Sequence, residues 1–210
     1  MLSENERARV RAAVEKAEKG LAAEIVPCVY SQSSPYPETT WAGAAAATGL
    51  ACGVLYLTDV VHPLWVPLTT LILIVPAAAF VGAALGHWCA PVKRLLIGPH
   101  RMEDAMSRRA KEVYYDRGVG RTKARDGVLI FASLLERRVL VLADEAVRSK
   151  VSNEAWMPAV NAMTAAASEG RVADALVAGV EKAAEVLRAA GVTGTGGGEL
   201  SDEPVDGDGK

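Results

Sequence analysis

A run of roughly fifty uncharged, mostly apolar residues lies in the interior of this chain, from Trp41 to Val92, and Asp59 is its only charged residue. The run divides into two segments, about 41–61 and 64–88, each near the roughly 20 residues that cross 30 Å of hydrocarbon as a helix. Helices satisfy their own backbone hydrogen bonds in lipid. The sequence therefore predicts a transmembrane helical hairpin within residues 38–92. A hairpin buried in a soluble domain remains the alternative, which Asp59 favours because a carboxylate is costly inside a bilayer.

Basic residues flank the run on both sides, and the short turn at 61–63 has none. Lysine and arginine near spanning helices mark the cytoplasmic side. Both termini are therefore expected in the cytoplasm, and the Ala-rich and Arg-rich composition of a bacterial chain favours the inner (cytoplasmic) membrane. The pairs Gly49/Gly53 and Gly82/Gly86 lie on these helices, where small residues permit close packing. They favour self-association or contact with another membrane protein.

Composition narrows the function of the remainder. The net charge is −2 and the isoelectric point about 6.0, with no basic stripe, so no nucleic-acid partner is expected. Three scattered cysteines predict neither a disulfide nor a metal set. Residues 191–210 are rich in glycine and acidic residues without apolar periodicity, which predicts a disordered tail.

The polar parts on either side of the run alternate between helical and strand patterns. Ser3 and Glu6 form a capping-box pattern at the start of a predicted helix over 3–20. A strand at 24–30 follows, and Pro27 in it favours an edge position or a bulge. After the apolar run, the predicted elements are a helix ending near 116, buried strands at 127–133 and 138–142, and helices at 153–167 and 171–189.

This order predicts an α/β fold in which one small mixed sheet has helices on both faces. Residues 1–37 and 93–190 then form one α/β/α sandwich, and the transmembrane hairpin interrupts it. The strands before and after the insertion share the sheet.

Polar residues at the strand ends are the candidate site. Asp126 precedes one buried strand, and Asp144 and Glu145 follow the next, so an antiparallel pair would bring them to one end of the sheet. Carboxylates there are candidate ligands for a hard cation such as Ca or Mg. The nearby cationic candidates for contact with an anion or a lipid headgroup are Arg117, Arg121 and Arg125.

A structural interpretation of the same residues stays open. Asp126 would form a turn with Gly127, and Asp144 would start a helix or pair with an arginine. The sequence contains no Cys–His pair and no nucleophile elbow, so the catalytic residues are unknown and no organic cofactor is indicated.

Three short motifs resemble the TPM-domain family. They are 126–131 (DGVLIF), 135–139 (LERRV) and 142–144 (LAD), in the family's order and spacing. Glu24-Ile25-Val26 resembles the family's first strand, and Trp156 and Gly170 fit its later helices, so the resemblance covers about 1–30 and 101–188.

The resemblance implies an α/β/α sandwich that is often attached to membranes. Relatives are described as acid phosphatases, calcium binders, photosystem-repair factors or receptor auxiliaries. For this chain it favours a membrane-tethered binding, assembly or quality-control module. The alternative is a metal-dependent phosphatase that acts on phosphate monoesters through Asp126 and Asp144.

Overall fold

The structure is a computed structural model that describes residues 2–61, 67–194 and 198–207. The chain divides into two compact units. Unit 1 comprises Met1–Ser33 and Glu103–Lys210, and unit 2 comprises Ser34–Met102. The predicted turn at 62–63 and the start of the second predicted segment, 64–66, lie outside the described residues.

Eight α-helices and four strands are seen in the described ranges. The helices are α1 (Glu4–Glu18), α2 (Glu38–Val61), α3 (Leu68–Trp88), α4 (Ala90–Leu96), α5 (Pro99–Asp116), α6 (Glu145–Arg148), α7 (Met157–Ser168) and α8 (Val172–Ala189). The strands are β1 (Ile25–Tyr30), β2 (Val128–Ser133), β3 (Arg138–Ala143) and β4 (Val205–Asp206). Two 3₁₀ turns, Val119–Arg121 and Asn153–Trp156, precede β2 and α7.

The predicted first helix is confirmed together with its cap. Ser3 and Glu6 form the reciprocal capping box at the start of α1, in which the Ser3 N–H donates to Glu6 Oε2 at 2.8 Å. Val10, Val14 and Ala17 form its buried face. Local pattern thus determines this element directly.

The sheet of unit 1 has the order β3-β2-β1-β4. β1 pairs with β2 in parallel, with Ile25 opposite Val128, and β2 pairs with β3 in antiparallel, with Val128 opposite Ala143. The strand before the insertion therefore shares a sheet with the strands after it, as predicted.

Helices cover both faces of the sheet. On one face, α1, α7 and α8 pack on the alternate residues Val128 and Ile130 of β2. On the other face, α5 packs on Leu129 and Phe131. The α/β/α arrangement of the predicted sandwich follows from this alternation, because successive side chains of a strand point to opposite faces.

β1 is a central strand, so the edge position expected from Pro27 is wrong. The carbonyls of Glu24 and Tyr30 accept hydrogen bonds from Val128 and Leu134 on the β2 side, whereas Val29 O accepts from Gly207 on the β4 side. Pro27 lies two residues before Val29, so its backbone groups face the same side of the strand, toward β4. The strand β4 begins only opposite Cys28. A proline is tolerated there because no ladder partner requires its N–H.

Two further expectations differ from the structure. The strand β3 was expected to be buried, but it lies at the sheet edge, with Arg138 exposed and its other residues half-buried. Disorder was expected throughout 191–210, yet Val205–Asp206 forms β4 on the edge of β1. Val205 is buried against the sheet, and this long-range packing is invisible to local composition.

In unit 2, α2 and α3 form a helical hairpin in which the backbones of the two helices are in close contact. A Cβ added to Gly43 or Gly82 would overlap the carbonyl oxygen of the other, and one added to Gly86 would overlap the carbonyl of Thr39. Thr39 Oγ1 also donates toward Gly86 O at 2.8 Å. The outward residues are exposed: Trp41, Phe80 and Trp88 are 77%, 74% and 76% exposed. Both helices are long and apolar enough to cross a membrane.

A half-buried carboxylate beside β1 predicts a pH dependence. The Ile25 N–H donates to Glu18 Oε1 at 2.7 Å, and burial, followed by the charges of Glu24 and Asp202, raises the pKa of Glu18 from 4.5 to about 7. The folded state therefore binds the proton more tightly than the unfolded state. Stability contributed by protonated Glu18 is full below pH 4.5 and is lost as the pH rises to about 7.

We expect Glu18→Gln to be more stable than the wild type at pH 8 by about 1 kcal/mol, a value reduced for the partial exposure of this carboxylate. At pH 4 the two should be equal. Urea denaturation of the full chain across this range would measure both. An unchanged pH slope in the variant would contradict the assignment.

Candidate functional site

An open cleft of about 510 Å³ lies in unit 1, at the end of the sheet where β2 begins and β3 ends. The C-terminal part of α5, the 3₁₀ turn after it, the end of β3 and α6 form its walls. Its lining residues are Lys111, Tyr114, Tyr115, Gly118, Gly120, Arg121, Arg125, Leu142, Ala143, Asp144 and Arg148. Four cationic side chains thus face one carboxylate, so the cleft is positive at neutral pH.

Asp144 is the buried member of this lining. Its Oδ1 accepts the N–H of Glu145 at 2.7 Å and caps α6, and its own N–H donates to Gly127 O at 2.9 Å. Arg125 Nε lies 3.2 Å from the buried Oδ2. In the described chain no hydrogen bond of good geometry reaches Oδ2, so this oxygen keeps acceptor capacity beside the ion pair.

Arg125 is held in an unusual backbone conformation. Its φ is 56°, in the left-handed region that is costly for residues with a Cβ. Its carbonyl accepts the N–H of Ala146 at 3.1 Å, and its guanidinium donates to Gly120 O at 2.9 Å. These contacts connect the 3₁₀ turn to α6 and place the Arg125 side chain at the mouth of the cleft.

Tyr114 of α5 lies beside Asp144 in the lining of the cleft. Burial, followed by the charge and hydrogen bonding of Asp144, raises the pKa of Tyr114 to about 12. Its ring lies so close to Gly120 that a Cβ added there would overlap it. The tyrosine is therefore a neutral hydroxyl donor at physiological pH, fixed by packing against the glycine turn.

The register confirms that Asp126 and Asp144 come to the same end of the sheet. Only Asp144 lines the cleft, whereas Asp126 is buried outside the lining and Glu145 is exposed. Of the three predicted anion contacts, Arg121 and Arg125 line the cleft and Arg117 does not. The structural interpretation of Asp144 is confirmed, since it both starts a helix and pairs with an arginine.

The described side chains do not gather into a multidentate metal site. Within 2–61, 67–194 and 198–207, no group of three or more His, Cys, Asp or Glu converges. Arg125 also occupies the position beside Asp144 Oδ2 that a cation would need. In this part of the chain the three carboxylates of the predicted site, Asp126, Asp144 and Glu145, therefore do not converge as one group. Metal binding at this end of the sheet stays a prediction.

Four lining residues were not anticipated from the sequence: Lys111, Tyr114, Tyr115 and Arg148. A signal was present for the first three, because Lys111 precedes the tyrosines by three and four residues and such residues share a helix face. Arg148 follows Asp144 by four residues, at the other end of the short helix α6 that Asp144 caps. Only the fold brings it to α5.

Comparisons with known proteins found one family model and one solved structure that are similar to this chain. The family model described as the TPM domain matches residues 93–186. No curated protein matches the chain. The NMR structure of the BA42 protein from the psychrophilic bacterium Bizionia argentinensis is similar to it in fold, with a TM-score of 0.59 and 18% sequence identity over 99% of this chain and 96% of that one. Residues 93–186 are therefore similar to the TPM domain, and the fold shared with the BA42 protein extends over nearly the whole chain.

Proposed function

We propose that this protein is a membrane-tethered TPM domain that binds anionic groups of a partner in its cationic cleft. The observation that carries the proposal is the lining of the cleft, in which four cations surround one carboxylate that already has a cationic partner. The excess of positive charge is left for a ligand. Guanidinium groups bind carboxylate and phosphate through two parallel hydrogen bonds, which suits them to this role.

Tethering is proposed from the hairpin. The helical windows long enough to span are 0% and 11% buried, whereas a core helix of a soluble protein would be mostly buried. Their exposed tryptophans and phenylalanine suit lipid better than water. Exposed apolar surface of this extent would aggregate in solution, so the bilayer is the environment that best accommodates it.

The orientation proposed is that of two passes with both termini in the cytoplasm, because basic residues flank the helices on the side of both termini. We expect the full chain to stay in the membrane fraction after alkaline carbonate extraction. A reporter fused after Lys210 should be active only in the cytoplasm. Release of the chain into the soluble fraction would overturn the tethering, and a reporter active only outside would overturn the orientation.

Binding in the cleft can be tested with inorganic phosphate. We expect the double variant Arg121→Glu, Arg148→Glu to lose at least tenfold in affinity, because both charges that face the ligand are reversed. Isothermal titration of the full chain in an uncharged detergent would measure it. Lys182→Glu is the matched control, since Lys182 is an exposed cation on α8 that pairs with Glu185 at 2.7 Å outside the cleft. Equal affinity in all three proteins would contradict the proposal.

A second experiment distinguishes a lipid headgroup from a soluble anion as the ligand of the cleft. Vesicles of phosphatidylcholine with and without phosphatidylglycerol would show whether the cleft takes a lipid headgroup. Loss of binding to the anionic vesicles in the double variant would favour a headgroup. Phosphate binding without such a loss would favour a soluble ligand or an acidic segment of a partner.

The second candidate is a phosphatase that acts on phosphate monoesters. The observation in its favour is Asp144, which lines the cleft together with the cations, has a buried Oδ2 and interacts with Tyr114. Hydrolysis of p-nitrophenyl phosphate, with and without added Ca or Mg, would test it. Activity that is lost in Asp144→Asn, with the fold intact by circular dichroism, would support the enzyme. Phosphate binding without turnover would support the binding module.

A further inference from the structure

The edge of β1 that faces away from β2 is almost closed to strand pairing. The N–H of Ile25 is taken by Glu18 Oε1 at 2.7 Å, and Pro27 has no N–H to offer. Among the residues that the structure describes, only Cys28 and Val29 pair there, with Val205 and Asp206 of β4, and the Gly207 N–H donates to Val29 O at 3.0 Å. This edge therefore accepts a very short extended segment and rejects a long one.

Residues 198–207, which we name the C-terminal strap, occupy this edge through contacts that define a chemistry. Val205 is buried in the core on the α5 face. Asp206 is also buried, and its Oδ2 accepts the N–H of Leu2 at 3.1 Å and Arg7 Nη2 at 3.0 Å. The edge thus buries an apolar side chain at position 205 and pairs a carboxylate at position 206. It therefore selects an apolar residue followed by an acidic one.

The third position requires glycine. A Cβ added to Gly207 would overlap the ring of Tyr30. This ring is itself held in place, because it stacks on the ring of Phe131 and the guanidinium of Arg109 lies over it. A larger residue would force this ring out of the core. The edge therefore reads the sequence apolar-Asp-Gly.

The strap is held by polar contacts in addition to its buried residues 204–206. Upstream of β4, the Glu24 carboxylate accepts the N–H groups of Glu199 and Leu200 at 2.9 and 3.4 Å, and the Lys123 N–H donates to Glu199 Oε2 at 3.2 Å. The Arg7 side chain that binds Asp206 is 41% exposed, whereas the Asp206 side chain is 3% exposed, so water reaches only the arginine side of this ion pair. A two-residue ladder and partly solvated polar contacts are weak compared with the packing of the central strands.

From these contacts we propose that the β1 edge at Cys28–Tyr30 is a docking site for a peptide segment with an apolar-Asp-Gly sequence, and that the C-terminal strap is its resident, displaceable occupant. A partner that presents this sequence replaces the strap by adding a short strand to β1. The strap acts as a competitor in the same chain, because its tether keeps its local concentration high. This site is separate from the cationic cleft.

The test cuts the tether and leaves the rest of the chain intact. A protease recognition sequence is inserted after Gly196 of the full chain, and the cut protein is titrated with a fluorescent peptide of residues 198–207 (GELSDEPVDG). Anisotropy should show saturable binding to the cut protein once its own strap has been washed away. The uncut chain should bind at least tenfold more weakly.

Matched peptides and proteins test the proposed chemistry. Asp206→Asn and Gly207→Ala peptides should bind at least tenfold more weakly. Glu203→Gln removes only the exposed ion pair with Arg11, which is 3.7 Å long, and should have little effect because the Glu203 side chain is 70% exposed. Arg7→Ala in the protein should weaken binding, and Arg11→Ala should not. Three results would overturn the proposal: unfolding on cleavage, no exchange of the strap with peptide, or equal binding of the Gly207→Ala peptide.

Discussion

Replacement of Gly82 by isoleucine should separate the two helices of the hairpin. The Gly82 Cα lies against the backbone of Gly43, and an added Cβ would overlap both the Gly43 carbonyl oxygen and the Ala47 side chain. A backbone cannot move aside as a flexible side chain does. We expect a loss of about 3 kcal/mol or more, at the upper end of the cost of overpacking.

Gly53→Ile is the matched control, because Gly53 lies in α2 with no atom within 4 Å of its added Cβ. It carries the same change in helix propensity without the clash. Thermal denaturation in detergent micelles, followed by circular dichroism and limited proteolysis, would compare the two variants. Equal melting of Gly82→Ile and Gly53→Ile would show that the close contact does not hold the hairpin together.

Truncation of Phe131 to alanine should destabilise unit 1 by about 3–5 kcal/mol, the usual cost of removing a large buried ring. Phe131 is fully buried in β2, and its ring stacks on that of Tyr30 with 5.5 Å between centroids. Alanine would leave a cavity between the sheet and α5, and would loosen the Tyr30 ring that the strap contacts.

Val141→Ala on β3 is the comparison. Val141 pairs with Ile130 of β2 but is only half-buried at the edge of the sheet, so its truncation should cost about 1 kcal/mol. Urea denaturation of the full chain would measure both free energies of unfolding. Equal costs would contradict the strand order in which β2 is central and β3 is at the edge.

The cleft and the strap lie on the same α/β unit and use different parts of it. The cleft lies at the end of the sheet where β2 begins and β3 ends. The strap pairs with the edge of β1 that faces away from β2. Arg121→Glu, Arg148→Glu should therefore leave peptide binding unchanged, and Arg7→Ala should leave phosphate binding unchanged. Failure of one function would not remove the other.

The elements with a strong local signal were predictable from the sequence. The capping box of Ser3 and Glu6 starts α1 as expected, and the apolar runs around Leu129 and Val141 are strands that form the expected antiparallel pair. Short-range periodicity and capping depend only on neighbours in the chain, so one sequence suffices for them. The two long apolar helices were predictable for the same reason.

Positions that depend on distant partners were not predictable. Pro27 suggested an edge strand, but it lies in a central one. The short β4 pairs only with Cys28 and Val29, so no strand needs an N–H from position 27. Val205 and Asp206 lie in a segment whose composition indicated disorder, and their order comes from Leu2, Arg7 and Cys28, which are about 200 residues away in the chain.

The candidate site shows the same division. The antiparallel strand pattern was enough to predict that Asp126 and Asp144 lie at one end of a strand pair with arginines nearby. The tertiary packing was needed to show that Asp144 lies beside Tyr114 of α5, that Arg125 is its partner, and that Arg148 completes the lining. A strand pattern defines alternation along one chain segment, whereas the choice of helix that covers each face is made by long-range packing.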